Sequence, residues 1–144
     1  MKQLNIWITG ASSGIGKACA LTLAGAGHHV LASARSQAAL DALNEEAKDV
    51  AGSVTTLPCD VTDMASVTRC VEWISNHWEG LDVVVPNAGI GYFDPLEAAK
   101  LQEWHAMVDV NVTGVLNTLH ATLPLRLASK GHVINIGSLA ARKV

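Results

Sequence analysis

An α/β fold built on a parallel sheet is what this sequence predicts, and three observations predict it. Apolar runs bounded by turn residues alternate with helical patterns along the whole chain. The first run passes straight into a glycine-rich turn, Thr9 to Gly16, written TGASSGIG, which opens the first helical pattern. The composition is that of one compact unit: 144 residues, 49% apolar and 16% charged, with no repeat, linker or low-complexity tract.

The strand-like runs are Leu4–Ile8, His29–Ser33, Ser53–Leu57, Leu81–Val85 and His132–Ile136, most with a β-branched centre. The first helical pattern spans Gly14 to Ala26. The second spans Gln37 to Val50, with Ser36 placed to cap its N-terminus. A third follows Thr62-Asp63 and carries Val67, Cys70, Val71, Ile74 and Trp78 on one face. The fourth is long, from about Leu96 to Ser129, and is expected to bend or break near Pro95 and Pro124. Its apolar stripe is Trp104, Met107, Val108, Val112, Val115, Leu119 and Leu123, and Asn111 falls within it. An amide there would be buried and would need partners. It is either bonded to neighbouring backbone or set beside a site to order water and side chains.

Several function classes are excluded as expectations. A net charge of −3 offers no general attraction for nucleic acid or anionic membranes. No window approaches the ~20 apolar residues of a membrane span, and the N-terminus lacks the layout of a signal peptide. Cys19, Cys59 and Cys70 are too few and too scattered for a zinc site or disulfide framework, so they are expected to be buried, reduced thiols. The expectation is a cytoplasmic protein with no metal.

The glycine turn points to phosphate. A helix start with little side-chain bulk lays its backbone N–H groups against a pyrophosphate. Gly10, Gly14 and Gly16 would let the chain turn tightly, approach a ligand and pack helix on strand. The spacing, G-x-x-x-G-x-G, is not the commonest dinucleotide one, so its weight comes from opening the first of several βα units.

Five segments in order resemble the N-terminal portion of the short-chain dehydrogenase/reductase family, across essentially the whole chain. They are Thr9–Gly16, Cys59-Asp60-Val61, Asn87-Ala88-Gly89, Val110 to Gly114 (VNVTG) and Val133 to Ser138 (VINIGS). The resemblance implies a Rossmann-like, doubly wound sheet in the order 3-2-1-4-5, with residues 1–144 forming an incomplete NAD(P)-binding domain that stops after the fifth strand. It also implies hydride transfer between a nicotinamide and a carbonyl or secondary alcohol. Carried over by position, Gly10, Ser12, Ser13, Gly14, Ile15 and Gly16 would form the phosphate turn. Asp60 and Val61 would meet the adenine, although Asp60 also reads as a charge at the start of the third helix. Asn87, Ala88 and Gly89 would line the cofactor groove, with Asn87 structural. Asn111 and Ser138 would be two of four catalytic residues, although Ser138 also reads as a turn hydroxyl. The family usually has Asn where this chain has Pro86.

The end of the second strand bears on cofactor choice. NAD-preferring relatives place an acid there, which repels a 2′-phosphate. This chain reads Ala32-Ser33-Ala34-Arg35-Ser36. Arg35 would grip the 2′-phosphate of NADP(H), helped by Ser33 and Ser36, unless it is only a solvated loop residue. The family's Tyr-x-x-x-Lys, expected after Ser138, does not occur. Tyr92 has Leu96 four residues on and reads as a loop residue near the site mouth, with Phe93 along one wall. The expectation is a truncated NADP(H)-dependent oxidoreductase, or else a non-catalytic NADP(H)-binding module or interaction remnant. A fifth strand left at the sheet edge and an uncovered Leu/Val stripe near residues 100–128 would favour a homo-oligomer.

Overall fold

A computed structural model describes residues 2–138 of the chain. Its sheet has five parallel strands, β1 (Asn5–Thr9), β2 (His29–Ala34), β3 (Ser53–Pro58), β4 (Val83–Val85) and β5 (His132–Val133), in the order β3-β2-β1-β4-β5. Between them lie α1 (Gly14–Gly25), α2 (Gln37–Glu46), α3 (Met64–His77), α4 (Leu101–Val108) and α5 (Gly114–Ser129).

The alternation of β1 divides the core in two. Ile6 and Ile8 pack with Ala20, Ala24 and Leu43 under α1 and α2. Trp7 points the other way and packs with Leu31, Cys59, Val67, Cys70, Ile74 and Val110 under α3 and the helix that follows. The indole N–H of Trp7 donates to Ser33 Oγ at 2.9 Å inside that layer. Two local caps match the expected helix starts. Ser36 Oγ accepts from Ala39 N–H at 3.3 Å, and Asp63 Oδ1 accepts from Ala65 N–H at 3.0 Å.

β5 is shorter than the expected His132–Ile136. Its register with β4 covers Val83↔His132 and Val84↔Val133. Beyond that the bonding is one-sided: Ile134 N–H donates to Val84 C=O at 3.0 Å and Ile136 N–H to Pro86 C=O at 3.3 Å. Pro86 has no N–H to return, so the ladder stops where its donor is missing.

The long fourth stretch is also corrected. It comprises a 3-10 turn (Leu96–Ala98), an extended break at Ala99 and Lys100, α4, a π-helical turn (Asp109–Thr113) and α5. Pro124 sits inside α5 without ending it. Pro124 and His120, whose carbonyl loses its donor, both face water, which takes the donor's place. The buried line is not the Leu/Val stripe but Val110, Gly114, Thr118 and Thr122. A Cβ on Gly114 would lie 2.5 Å from Val61 Cγ2, so this helix approaches the β3 end too closely for large side chains. Trp104, Val108, Val112 and Leu123 are left exposed, while Met107, Val115 and Leu119 are half-buried. Among the described residues no helix is long and apolar enough to cross a membrane.

Candidate functional site

The winding of the sheet reverses between β1 and β4, and a crevice opens there beyond the carboxyl ends of the strands. A cleft of about 860 Å³ occupies it, a size suited to an organic cofactor or ligand. It is lined by Gly10, Ser12, Ser13 and Ile15 after β1, Arg35 after β2, Asp60 and Val61 after β3, and Asn87, Ala88 and Gly89 after β4. Asn111 and Ser138 line it too, so residues from distant parts of the sequence meet in one space. Gly14 and Gly16 belong to the same turn but are not among its lining residues.

The turn is held from behind. Thr9 Oγ1 accepts from the N–H groups of Asn87 and Ala88, both at 3.1 Å. Asn87 Nδ2 donates to Thr9 C=O at 2.9 Å and Gly10 C=O at 3.0 Å. These bonds draw the β4 end so close that a Cβ on Gly10 would lie 2.6 Å from Ala88 Cα, and one on Gly16 would lie 2.3 Å from Asn87 Nδ2. Asn87 thus pins the turn to the β4 end. In front, Ser13 is the extended N-cap of α1, its side chain makes no capping bond, and no acidic residue stands in the first turn. The helix therefore presents backbone donors with no side-chain partner, an arrangement that attracts an anion.

At the next strand ends, Arg35 is exposed at the cleft and takes part in no ion pair among the described residues. Ser33 is corrected. It is 1% exposed and accepts from Trp7, which places its hydroxyl below the cleft floor and out of reach of any ligand. Ser36 is occupied as the α2 cap. Asp60 Oδ1 accepts from Thr62 N–H at 2.9 Å and Thr62 Oγ1 at 2.8 Å, and Asp63 holds the helix-cap role that Asp60 was open to. Val61 C=O accepts from Asn117 Nδ2 at 2.9 Å, tying α5 to the cleft wall.

Asn111 lies in the π turn between α4 and α5 and is exposed, not buried. Its carboxamide closes a two-bond ring on one residue: Oδ1 accepts from Ile90 N–H at 2.9 Å and Nδ2 donates to Ile90 C=O at 2.8 Å. A π turn re-aims a helix side chain, and here it aims Asn111 at the loop after β4. Ser138 sits across the cleft, exposed, on the segment that Ile136 lays along Pro86. Tyr92 borders a smaller adjoining depression with Arg35, Asp60 and Asp109, while Phe93 reaches the main cleft, almost wholly exposed. Residues 139–144 lie outside the described residues.

Sequence reasoning gave no site role to Ala34, Cys59, Ile90 or Gly91, all of which line the cleft. The first two are strand-end neighbours of residues it did name, so the rule that ligands sit beyond carboxyl ends would have found them.

The short chain dehydrogenase family model matches residues 4–144. A glycine betaine reductase of Emericella nidulans is 43% identical over 138 residues, which is 95% of this chain and 11% of that protein. An NADP-dependent 3-hydroxy acid dehydrogenase of Salmonella typhi is 33% identical over 137 residues, covering 94% of this chain and 54% of the relative. Among solved structures, an alcohol dehydrogenase from Thermococcus sibiricus complexed with 5-hydroxy-NADP superposes with a TM-score of 0.92 at 34% identity. That match covers 99% of this chain and 62% of the other. The chain thus spans less than two thirds of the length of these relatives. With the family's strand order and a cleft at its switch point, this chain belongs to the short-chain dehydrogenase family of oxidoreductases.

Proposed function

We propose that this chain forms the NADP(H)-binding part of an oxidoreductase that moves a hydride between a nicotinamide and a carbonyl or secondary alcohol. The observation that carries this reading is the cradle at the β1–α1 turn, where backbone donors without a side-chain cap share one cleft with Arg35, Asn111 and Ser138. Its residues fit a dinucleotide. The α1 N-terminus would take the pyrophosphate, Asp60 the adenine amino group, and Arg35 the 2′-phosphate. The Salmonella relative is NADP-dependent and the Thermococcus structure is a complex with 5-hydroxy-NADP, and both support that choice over NAD. When bound, the nicotinamide supplies or accepts the hydride.

The chain's own groups orient the substrate. Ser138 Oγ would donate to the substrate oxygen, and Asn111 would fix the Ile90 loop that forms the opposite wall. Proton exchange needs a titratable hydroxyl beside a cation. The residues here contain no Tyr-x-x-x-Lys, and in this reading that pair lies in sequence beyond Val144 of a longer protein. A second reading, a non-catalytic NADP(H)-binding module, is favoured by the position of Tyr92, the one tyrosine, outside the main cleft. Fluorescence titration should show saturable NADP⁺ binding, and its absence would defeat both readings. A carbonyl-reduction assay separates them: turnover that appears only when a C-terminal segment bearing Tyr-x-x-x-Lys is added in trans selects the first.

The same reading places a second copy on the outer face of α4 and α5. Trp104, Val108, Val112, Leu116, Leu123 and Leu127 are all exposed there, a patch of the kind that marks an interface. Sedimentation velocity should find a dimer or larger species, and Leu116→Asp should shift it to monomer. A wild-type chain that stays monomeric at micromolar concentration would remove the proposal.

A further inference from the structure

Charge is unevenly spread along the cleft. The strand order β3-β2-β1-β4-β5 sets residues after β3 and β2 at one end and those after β4 and β5 at the other. Arg35 and Asp60, the charged side chains among the described lining residues, both belong to the first end. The second end carries no charged side chain among the described residues. Its polar side chains are Asn87, Asn111 and Ser138. The two carboxamides are committed to backbone, Asn87 to the carbonyls of Thr9 and Gly10 and Asn111 to the N–H and C=O of Ile90. Ile90 and Phe93 on the loop after β4, and Ile136 after β5, are the large side chains of that wall.

Phe93 is 91% exposed, more than any other large apolar side chain among those described. Its ring nevertheless has a seat. A Cβ on Gly91 would lie 3.0 Å from Phe93 Cζ and 3.1 Å from Cε2, so the ring edge occupies the space that a side chain at Gly91 would take. Tyr92 borders the depression that holds Arg35, Asp60 and Asp109, whereas Phe93, next in the chain, borders the main cleft. Asp94, which follows, lines neither space. An apolar group of a ligand laid on this ring would release water from both surfaces at a gain. A carboxylate or ammonium brought to the same end would lose hydration, and no side chain of opposite charge lines that end to replace it.

We propose that the β4–β5 end of the cleft takes an uncharged carbonyl or secondary alcohol with an apolar substituent, and that Phe93 is the residue that selects it. The substrate oxygen turns toward Ser138 and the apolar substituent covers the Phe93 ring. Gly91 is a positioning residue, since its lack of a side chain gives the ring its seat. Hydroxy acids and cationic alcohols are disfavoured by the missing counter-charge, and apolar alcohols are favoured by the ring. The place of the substrate oxygen rests on the hydride-transfer reading above, whereas the apolar site at Phe93 does not.

Phe93 is the one phenylalanine of the chain and Tyr92 the one tyrosine, so ring labelling gives each an NMR signal that needs no assignment. The test titrates the whole chain, in excess NADP⁺, with 1-phenylethanol, 3-hydroxybutyrate and choline. 1-Phenylethanol should shift the Phe93 ring signals saturably and leave Tyr92 nearly still. The two charged alcohols should bind about tenfold more weakly or worse. Phe93→Ala should weaken 1-phenylethanol by about two- to tenfold, read by saturation transfer to the ligand, and leave 3-hydroxybutyrate unchanged. Its side chain is exposed, so the fold is kept. Gly91→Ala, at a position outside the left-handed region, should push the ring off its seat and weaken 1-phenylethanol with Phe93 still present. Equal or tighter binding of either charged alcohol, or an unchanged 1-phenylethanol affinity in Phe93→Ala, overturns the selection. A Phe93 signal that moves with chain concentration and not with 1-phenylethanol gives the ring to a second copy and overturns it as well. No Phe93 response while fluorescence shows NADP⁺ bound overturns this inference and leaves the cofactor reading standing. A Phe93 response in a chain that fails to bind NADP⁺ upholds the apolar site and counts against the cofactor reading alone.

Discussion

Arg35→Ala should weaken NADP⁺ binding by about ten- to a hundredfold, equivalent to about 1.5–3 kcal/mol, and leave NAD⁺ binding little changed. The guanidinium sits at the cleft beyond β2 with no acidic partner among the described residues, so nothing competes for it. Its exposure favours the lower end of that range, because water screens the pair. The neighbouring position sharpens the test. Ala34 ends β2, is 5% exposed and lines the cleft, and an acid at a strand end of this kind accepts from both ribose hydroxyls of NAD. Ala34→Asp should therefore invert the preference, since like charges held close cost several kcal/mol. Isothermal titration with both cofactors on both variants decides the matter. Equal losses for NADP⁺ and NAD⁺ in Arg35→Ala would show that Arg35 does not read the 2′-phosphate.

The order of elements was legible because each strand is a short β-branched run and each of the first three helices repeats every three to four residues. The sheet order came with the family resemblance and not from periodicity. What stayed hidden has particular causes. Hydrophobic pattern picked out Trp104, Val108, Val112 and Leu123 as a stripe left uncovered, but not the line that packs inward: α5 buries Gly114, Thr118 and Thr122, because contact with Val61 admits only small residues there. Thr118 and Thr122 enter that layer at little polar cost, since their hydroxyls donate back to the carbonyls of Gly114 and Thr118 at 2.8 and 2.7 Å. Pro124 reads as a breaker until its solvent exposure is known. Ser33 reads as a ligand donor until the indole of Trp7 is found bonded to it across the strand pair.

The candidate site was legible in its parts and not in its wiring. Every turn and strand-end residue that the resemblance nominated lines the cleft apart from Gly14 and Gly16. Two features depended on tertiary distance. One is the clamp of Asn111 on Ile90, which converts an expected buried amide into an exposed one with both ends engaged. The other is the bond from Asn117 Nδ2 to Val61 C=O, which ties α5 to the cleft wall. Neither leaves a trace in spacing, because the partners lie on elements whose relative placement is set by the whole sheet.

Gly10→Ala should destabilise the chain by about 3 kcal/mol, sharply more than the same change at Gly14. The two glycines share a left-handed backbone, with φ of +67° and +54°, so each substitution carries about 1–2 kcal/mol of conformational cost. They differ in surroundings. The new Cβ at Gly10 would lie 2.6 Å from Ala88 Cα and 2.8 Å from Ala88 N, whereas at Gly14 nothing stands within 4 Å. Ala88 cannot retreat cheaply, because its N–H and that of Asn87 are both bonded to Thr9 Oγ1. Relief would require separating β1 from β4 at the point where the cleft opens. At about 2–4 °C of Tm per kcal/mol, Gly10→Ala should melt about 6–12 °C below the parent in calorimetry. Gly14→Ala should melt only a few degrees lower, because its methyl meets nothing within 4 Å and only the conformational cost remains. Equal melting losses for the two variants would mean that backbone conformation alone, and not the close approach of β4, makes glycine necessary at position 10.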